Sequence, residues 1–384
     1  MKQLERERFV AEVAVHLRDG VVPMADSTME NPVALYTDAA HTARERALVF
    51  DAQPMVIAVS AQVPNAGDFV TDELTGEPLV IIRGEDLVVR AFYNVCRHRG
   101  TKVVCEAAGS RRRFACPFHG WTYDTSGTLR AVPESYAFPD LDEARKHLTE
   151  LPVVERHGLV WRLPSGWHEA DLIESLGPLD SELAAYRADT YVLERSEHIE
   201  QPFNWKFAID GFLETYHLRF LHSKTIGPFI RSNHGPTTTY GHNIRMMAVR
   251  SSYIPEVAEA AAFVDPMPHV AAVYILFPNT VLLWQGDHLE VWRMYPDGAD
   301  PGRSIMTASL LAPKAPDTDE EQRHWDRNWA VLMGTVLNED FAVSRAAQAG
   351  FSSRAQTHVL YGRNEPALQA FHRSMASLCA SEAK

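Results

Sequence analysis

With 384 residues, 46% of them hydrophobic and 10% aromatic, the chain is long enough for two domains with sizeable cores. A formal net charge of −13 argues against nucleic acid or an anionic membrane as partner, and no run approaches the length of a membrane span. Four cysteines cannot make a disulfide framework, and the charged start MKQLERERFVAEVAV has no apolar signal core, so a reducing cytoplasm is the expected compartment.

In chain order, residues 1–45 read as an N-terminal segment of short helices and loops that packs on the second domain, with AHTARERALVF, which begins at Ala40, charged and helical in character. From about Val56 the texture changes. VIAVSAQV, DELTGEPLVIIRGEDLVVRAFYNV and RFACPFHGWTYDTSGTLRAVP are rich in Val, Ile and aromatics and are broken by Gly, Pro and Asp, with TSG and LTGEP as turns. This predicts a small all-β module over 46–155. In the second block, 156–384, Thr190–Ile199 reads as extended and Asn204–Leu221 as helical. Val270–Pro296 holds two or three strands with turns at Pro278-Asn279 and Gly286-Asp287, and Ser304–Leu311 is another strand. Asp317 and Glu320 form a capping box that opens a long helical stretch, with Gly350 as its stop. An antiparallel sheet followed by long helices makes an α+β domain.

Two short motifs carry the chemistry of the β module. Cys96-Arg97-His98 is followed, after seventeen residues, by Cys116-Pro117-Phe118-His119. Each half pairs a thiolate with an imidazole close enough for one tight turn to aim both at the same point. Two sulfurs and two nitrogens suit a [2Fe–2S] cluster in which Cys₂ holds one iron and His₂ the other. The rival is a structural Cys₂His₂ zinc site, but zinc fingers group Cys with Cys and His with His, and no helix follows here.

Cys96-x-His98-Arg99-Gly100 with Cys116-Pro117-x-His119-Gly120-Trp121-x-Tyr123-Asp124 resembles the Rieske domain of aromatic-ring-hydroxylating oxygenases. Respiratory-chain Rieske proteins add a cysteine beside each ligand pair, where this chain has Arg99-Gly100 and Phe118. The resemblance is therefore to the low-potential oxygenase kind. Cys105 and Cys379 remain as ordinary packing residues.

The second block contains Asn204-Trp205-Lys206, then Asp210-Gly211-Phe212-Leu213-Glu214-Thr215-Tyr216-His217, then His222. On a helix, Asp210, Glu214 and His217 share a face. His222 is five residues beyond His217, about 140° round a regular helix, so both reach one metal only if the helix ends or bulges between them. The string resembles the mononuclear iron motif of the same family. That resemblance implies His217 and His222 as iron ligands and Glu214 as the carboxylate bridging to a neighbouring subunit. Many members have Asp at the bridge, which makes Asp210 the runner-up. A facial triad needs one carboxylate as well. The family draws it from a C-terminal helix, and Glu339-Asp340 followed by Gln348 matches, with Asp340 preferred.

The family implies a helix-grip, START-like catalytic domain and a terminal oxygenase that uses O₂ on an aromatic or other hydrophobic small molecule, by mono- or cis-dihydroxylation. No GxGxxG stands between a strand and a helix, so NAD(P)H electrons are expected through a separate flavin and iron–sulfur reductase, with or without a ferredoxin. The cluster and the iron are expected too far apart within one chain. The family's head-to-tail homotrimer, with or without a β subunit, brings His119 of one subunit to Glu214 of the next. Phe229, Tyr274, Leu276, Trp284 and Trp292 are candidate substrate contacts, though core packing is the simpler reading of each. Glu at position 214 is also similar to the family's carnitine and betaine oxygenases. The alternative is then N- or O-demethylation of a quaternary ammonium or methoxy compound, with aromatic side chains holding the cation. Arg219 and Lys224 could receive a carboxylate or be solvated surface charge. Two rivals from other classes are a Rieske electron carrier with an inert second domain, and a ligand-binding module whose His217, His222 and Asp340 bind no iron.

Overall fold

The computed structural model describes residues 13, 15, 17–253 and 267–380. The chain forms two compact units, Val56–Ala170 and the combination of Met1–Met55 with Asp171–Lys384. The sequence reading drew these boundaries at 46 and 155, and local geometry moves both. After strand β1 (Met29–Pro32) and helices α1 (Ala34–Thr37) and α2 (Ala39–Glu45), a π-helical turn over Arg46–Phe50 prolongs α2, so this stretch stays with the N-terminal segment. At the other end a tight hairpin carries the β unit past 155. Its strands Val153–Arg156 and Leu159–Arg162 are joined by His157 and Gly158, both at positive φ (55° and 75°). Such a two-residue loop matches the twist of paired strands.

The Val56–Ala170 unit holds β2 (Met55–Val59), β3 (Asp68–Asp72), β4 (Leu79–Arg83), β5 (Val89–Tyr93), β6 (Ala108–Ser110), β7 (Arg113–Ala115), β8 (Thr122–Asp124), β9 (Leu129–Ala131), β10 (Glu150–Leu151), β11 (Val153–Arg156) and β12 (Leu159–Arg162). They form sheets in the orders β10-β5-β4-β3-β6, β11-β12-β2 and β7-β8-β9. The five-stranded sheet has a core on each side. Leu79, Ile81, Val89 and Ala91 join Ile57, Val63 and Val160. Val80, Ile82 and Phe92 join Phe114, Trp121 and Tyr123. Burial of both faces explains why LVII reads as an unbroken apolar run instead of alternating. Gly127, in the TSG turn, has φ +76°, and a Cβ there would collide with the Phe92 ring.

The larger unit is built on seven antiparallel strands: β13 (Val192–Gln201), β14 (Thr237–Tyr240), β15 (Asn243–Val249), β16 (Val270–Leu276), β17 (Thr280–Trp284), β18 (Leu289–Pro296) and β19 (Ser304–Ala312). Their order is β13-β19-β18-β17-β16-β15-β14. Three strands thus arise from Val270–Pro296, with both expected turns in place. Helices α3 (Glu169–Leu176) and α4 (Pro178–Tyr186) precede the sheet in the chain, and α5 (Trp205–Phe212) follows β13. On one face of the sheet Tyr274 donates to Glu182 Oε1 (2.6 Å), and Arg245 Nη1 donates to Glu182 Oε2 (2.6 Å). The sheet is followed by α6 (Asp319–Thr335), a π-helical turn (Val336–Asp340) and α7 (Phe341–Ser352). The cap of α6 is one residue later than expected: Thr318 accepts from the Glu321 N–H (3.2 Å), and Glu321 accepts from the Asp317 N–H (2.7 Å). Gly350 lies inside α7, and the chain leaves the helix through Arg354, at φ 59°.

A buried ion pair ties α2 to the helix Trp205–Phe212. Lys206 Nζ donates to Glu45 Oε1 at 2.7 Å, both side chains being 1% exposed, and Trp205 Nε1 donates to Glu45 Oε2 at 3.1 Å. Burial alone would raise the Glu45 carboxyl, but Lys206 and His41 outweigh it and hold the group below its ordinary value. That contribution is present above the unfolded carboxylate pKa of about 4.3 and is lost as pH falls through the lower folded value. Lys206→Met should cost about 3–5 kcal/mol at neutral pH by stranding the carboxylate. Urea unfolding followed by tryptophan fluorescence would read this, with the deficit shrinking toward acid pH.

Candidate functional site

In the β unit, the two motifs fold as matching loops. Gly100 N–H donates to Cys96 O (3.0 Å) and Gly120 N–H to Cys116 O (2.9 Å). Cys96 N–H then donates to Thr101 O, and Cys116 N–H to Trp121 O, each at 2.8 Å. Gly100 and Gly120 sit at φ 81° and 70°, the left-handed conformation that closes each loop. The loops bring the His98 and His119 rings to 4.7 Å, with His98 stacked on Trp121 at 4.9 Å. Both sulfurs are buried, and Tyr123 OH lies 3.5 Å from Cys96 Sγ. Burial pushes the Cys116 thiol up, against the Phe118 and His119 N–H groups that draw it down. His98 Nδ1 is buried with no hydrogen-bond partner among the described residues. A buried imidazole nitrogen left open beside a facing histidine and two cysteines fits a cluster ligand. Cys105 is exposed and Cys379 is buried elsewhere.

In the larger unit, helix α5 (Trp205–Phe212) starts at the Asn204 cap and ends well before His217. The helix predicted to run to Leu221 therefore stops early, and a 3₁₀ turn at His217–Arg219 follows. This break meets the demand that the two histidines leave a common helix. Gly227 closes the loop by donating to His222 O (2.9 Å), and a Cβ on it would collide with the carbonyls of Leu218 and His222. Opposite, the π-helical turn Val336–Asp340 turns both Glu339 and Asp340 toward these histidines, a common use of such a turn.

Asp340 Oδ1 lies 3.0 Å from His222 Nε2 and 3.4 Å from His217 Nε2. Donor atoms of the three residues all fall within 4.8 Å of one another, the one such group among the described residues. Each Nδ1 is engaged behind: His217 with Glu214, and His222 with Glu339 Oε2 at 2.6 Å. Glu339 also accepts from Thr225 Oγ1 (3.0 Å). Carboxylates behind both Nδ1 atoms fix the Nε2 lone pairs toward Asp340, as in metal-ligating histidines. Burial depresses His217, but Asp340 and Glu214 lift it to about 9, and Asp340 is held below its ordinary value by the histidines despite burial. The set fits a divalent metal with two histidines and one carboxylate.

Asp210, the runner-up bridge, faces elsewhere: it accepts from Tyr36 OH (2.7 Å) and meets His372 Nε2 (2.8 Å). Helix α5 ends between it and His217, so the shared-face argument does not apply. A cavity of about 580 Å³ opens beside the triad. Of the five substrate-contact candidates, Phe229 alone lines it. Strand alternation puts Tyr274, Leu276 and Trp284 on the opposite face, where Tyr274 and Trp284 pack on Tyr186. Trp292 backs Phe212 and Phe341. Arg219 and Lys224 do not line the cavity. Its floor instead includes Met246, Val273, Leu283 and Glu290, a cross-strand row given by strand register and invisible to a scan for aromatics.

The family model for the ring hydroxylating alpha subunit (catalytic domain) matches residues 188–381, and that for the Rieske [2Fe-2S] domain matches 53–146. The chain belongs to the Rieske oxygenase alpha-subunit family. It is a terminal oxygenase component, with a Rieske [2Fe–2S] domain and a catalytic domain of the kind that binds mononuclear iron, typically supplied with electrons by a separate reductase. Members are multicomponent oxygenases that assemble into oligomers. The glycine betaine monooxygenase oxygenase subunit of Chromohalobacter salexigens is 27% identical over 371 residues, covering 86% of this chain and 81% of that one. The carnitine monooxygenase oxygenase subunit of Escherichia coli is 31% identical over 188 residues, 48% of this chain and 50% of that one. Biphenyl 2,3-dioxygenase subunit alpha of Rhodococcus jostii is 32% identical over 188 residues, 48% and 41%. A solved quaternary ammonium Rieske monooxygenase shares the fold, with TM-score 0.78 at 20% identity over 97% of this chain and 98% of that one. A naphthalene 1,2-dioxygenase from Rhodococcus does so at 0.76 and 16%, over 98% and 99%. Among the described residues no helix is long and apolar enough to cross a membrane.

Glu339 was visible in the sequence only as the neighbour of Asp340, and its place behind His222 came from the π-helical turn. Glu339→Gln should weaken Fe(II) or Co(II) retention by about 10–100-fold while the Rieske signal persists. Metal titration of the chelator-treated protein measures it.

Proposed function

We propose that Cys96, His98, Cys116 and His119 hold the [2Fe–2S] cluster, that His217, His222 and Asp340 hold a mononuclear iron, and that the enzyme monooxygenates a small molecule in the adjoining cavity. The observation that carries this is the convergence of His217, His222 and Asp340 within 4.8 Å at the wall of that cavity. Iron held on one face by such a triad supplies a site for O₂ beside a substrate. The chain's own residues do the rest. Glu339 and Glu214 orient the imidazoles, while Leu218, Ile226, Leu332 and Val336 keep the cavity wall apolar. The reaction consumes one O₂, two electrons and two protons, turning a C–H into C–OH and releasing water. At an N- or O-methyl carbon, the hydroxylated product then collapses to formaldehyde and the demethylated compound.

Monooxygenation is favoured over cis-dihydroxylation by Glu at position 214 and by the likeness, over 86% of this chain, to a glycine betaine monooxygenase oxygenase subunit. Glu214 is assigned as the inter-subunit bridge over Asp210 because it stands behind Nδ1 of the proposed ligand His217, whereas Asp210 meets Tyr36 and His372 instead. In this reading Glu214 meets His119 of a neighbouring subunit in a homotrimer, and a flavin and iron–sulfur reductase in the same cytoplasm delivers the electrons. A solved relative in this fold is described as showing inter-subunit electron transfer, which supports the arrangement.

Anaerobically purified protein should contain about three irons and two acid-labile sulfides per chain, with a Rieske EPR signal on reduction. His217→Ala should fall to about two irons and keep the signal. Two irons in the unmodified chain, unchanged after Fe(II) is added, would leave only an electron carrier. With Fe(II) in saturating excess to offset any weaker iron retention, Glu214→Gln should still lose roughly 100-fold in turnover with reductase.

A further inference from the structure

The cavity floor carries a carboxylate that the iron chemistry does not use. Glu290, on β18, is 3% exposed and lines the same cavity as the triad. Its Oε1 lies 3.4 Å from His288 Nε2, while its Oε2 is buried with no hydrogen-bond partner among the described residues. An ionised carboxylate taken out of water needs a donor or a cation for each oxygen. A bare one at the wall of a cavity is a group waiting for a ligand.

The neighbouring charges do not satisfy it. His288 is shared with Asp287, Nδ1 to Oδ1 at 2.6 Å, and Asp287 Oδ2 is met by His324 at 2.8 Å. Burial lowers His288, but Asp287 and Glu290 outweigh that and raise it to about 9, so it is an imidazolium at neutral pH. His288 is thus shared between two carboxylates, and Glu290 Oε2 is left with no donor of its own among the described residues. Arg250, the remaining cation of the lining, turns its Nη2 to Gln285 O (2.6 Å). Around Glu290 the same row of the floor is Leu283, Val273 and Met246, and helix α6 supplies Val331 and Leu332. Arg250 Nε is also buried with no hydrogen-bond partner among the described residues, so the lining holds two open polar groups, one acidic and one basic, and only the acidic one lies on this apolar row of the floor. Glu290 also lies two residues from Trp292 on one strand face, about 7 Å along the sheet from the ring that backs Phe212 and Phe341 beside the triad.

We infer that Glu290 selects the substrate: it binds a cationic nitrogen carrying at least one N–H, so the preferred substrates are small protonated amines with an apolar body. This rests on the cavity being the substrate site of the proposed oxygenase. A charge-assisted hydrogen bond discriminates against both a neutral isostere and a quaternary ammonium, which has charge but no proton to donate.

The test is calorimetric binding to the anaerobic, iron-loaded enzyme, a readout independent of turnover, with three probes on one benzyl frame: N,N-dimethylbenzylamine, its neutral isostere isobutylbenzene, and benzyltrimethylammonium, with neopentylbenzene as the size control for the last. The unmodified enzyme should bind the protonated amine about 10–100-fold more tightly than either other probe. Glu290→Gln should abolish that preference while leaving isobutylbenzene binding within about threefold, and Glu290→Asp should restore part of it. The ratio between probes on one protein is insensitive to a partly unfolded sample. If the Gln variant keeps the preference, or the unmodified enzyme has none, the role of Glu290 is overturned while the oxygenase reading stands. If no probe binds and none is hydroxylated when reductase is added, the cavity assignment fails and the inference falls with it.

Discussion

The carboxylate of Asp340 meets the Nε2 atoms of His217 and His222, and the larger unit is arranged so that this meeting happens. It requires helix α5 to end at Phe212, a 3₁₀ turn to carry His217, a glycine at 227 to fold the loop back, and a π-helical turn to rotate Asp340 inward. Each feature departs from regular helix geometry. Departures of this kind are held in place only when surrounding packing over-determines them. The sheet, the Lys206–Glu45 pair and the Asn204 cap on α5, braced by Gln348, provide that support.

The charges of the site are also layered. The histidines at the proposed iron are backed by Glu214 and Glu339, so each imidazole has one nitrogen committed and one free to ligate. Farther along the cavity a second histidine–carboxylate group, His288 with Asp287 and Glu290, is paired almost completely. The difference is the open Oε2 of Glu290, which separates a structural ion pair from a recognition group. The β unit uses another device. Its two Cys/His loops are closed by equivalent backbone hydrogen bonds with a glycine at positive φ in each, and the stacking of His98 on Trp121 sets one loop against the other.

That contrast explains how much could be read from the chain alone. The Cys-x-His and Cys-x-x-His halves, the turn residues, the β texture of the first module and the three strands of Val270–Pro296 are local patterns, and the structure contains them. The Asn204–Leu221 helix was overextended because residues 213–221 have no proline to announce the break; the need to turn His217 and His222 to one point decides it. The capping box slipped by one residue because Thr318 out-competes Asp317 for the cap position. The aromatic candidates for substrate contact were mostly misplaced, since a strand buried on both faces gives no sign of which face holds a cavity.

The sequence by itself determined the ligand types on offer: two Cys/His pairs in the first module, a His/His/carboxylate set in the second, and no nucleotide fingerprint beside them. These depend on residue type and short spacing, which the covalent chain carries directly. Only the tertiary structure decided that Glu339 stands behind His222, that Asp210 is engaged with Tyr36 and His372, and that Glu290 faces the cavity with an open oxygen. Those facts rest on strand register and helix ends between residues far apart in the chain, where one position's shift turns a side chain to the opposite face.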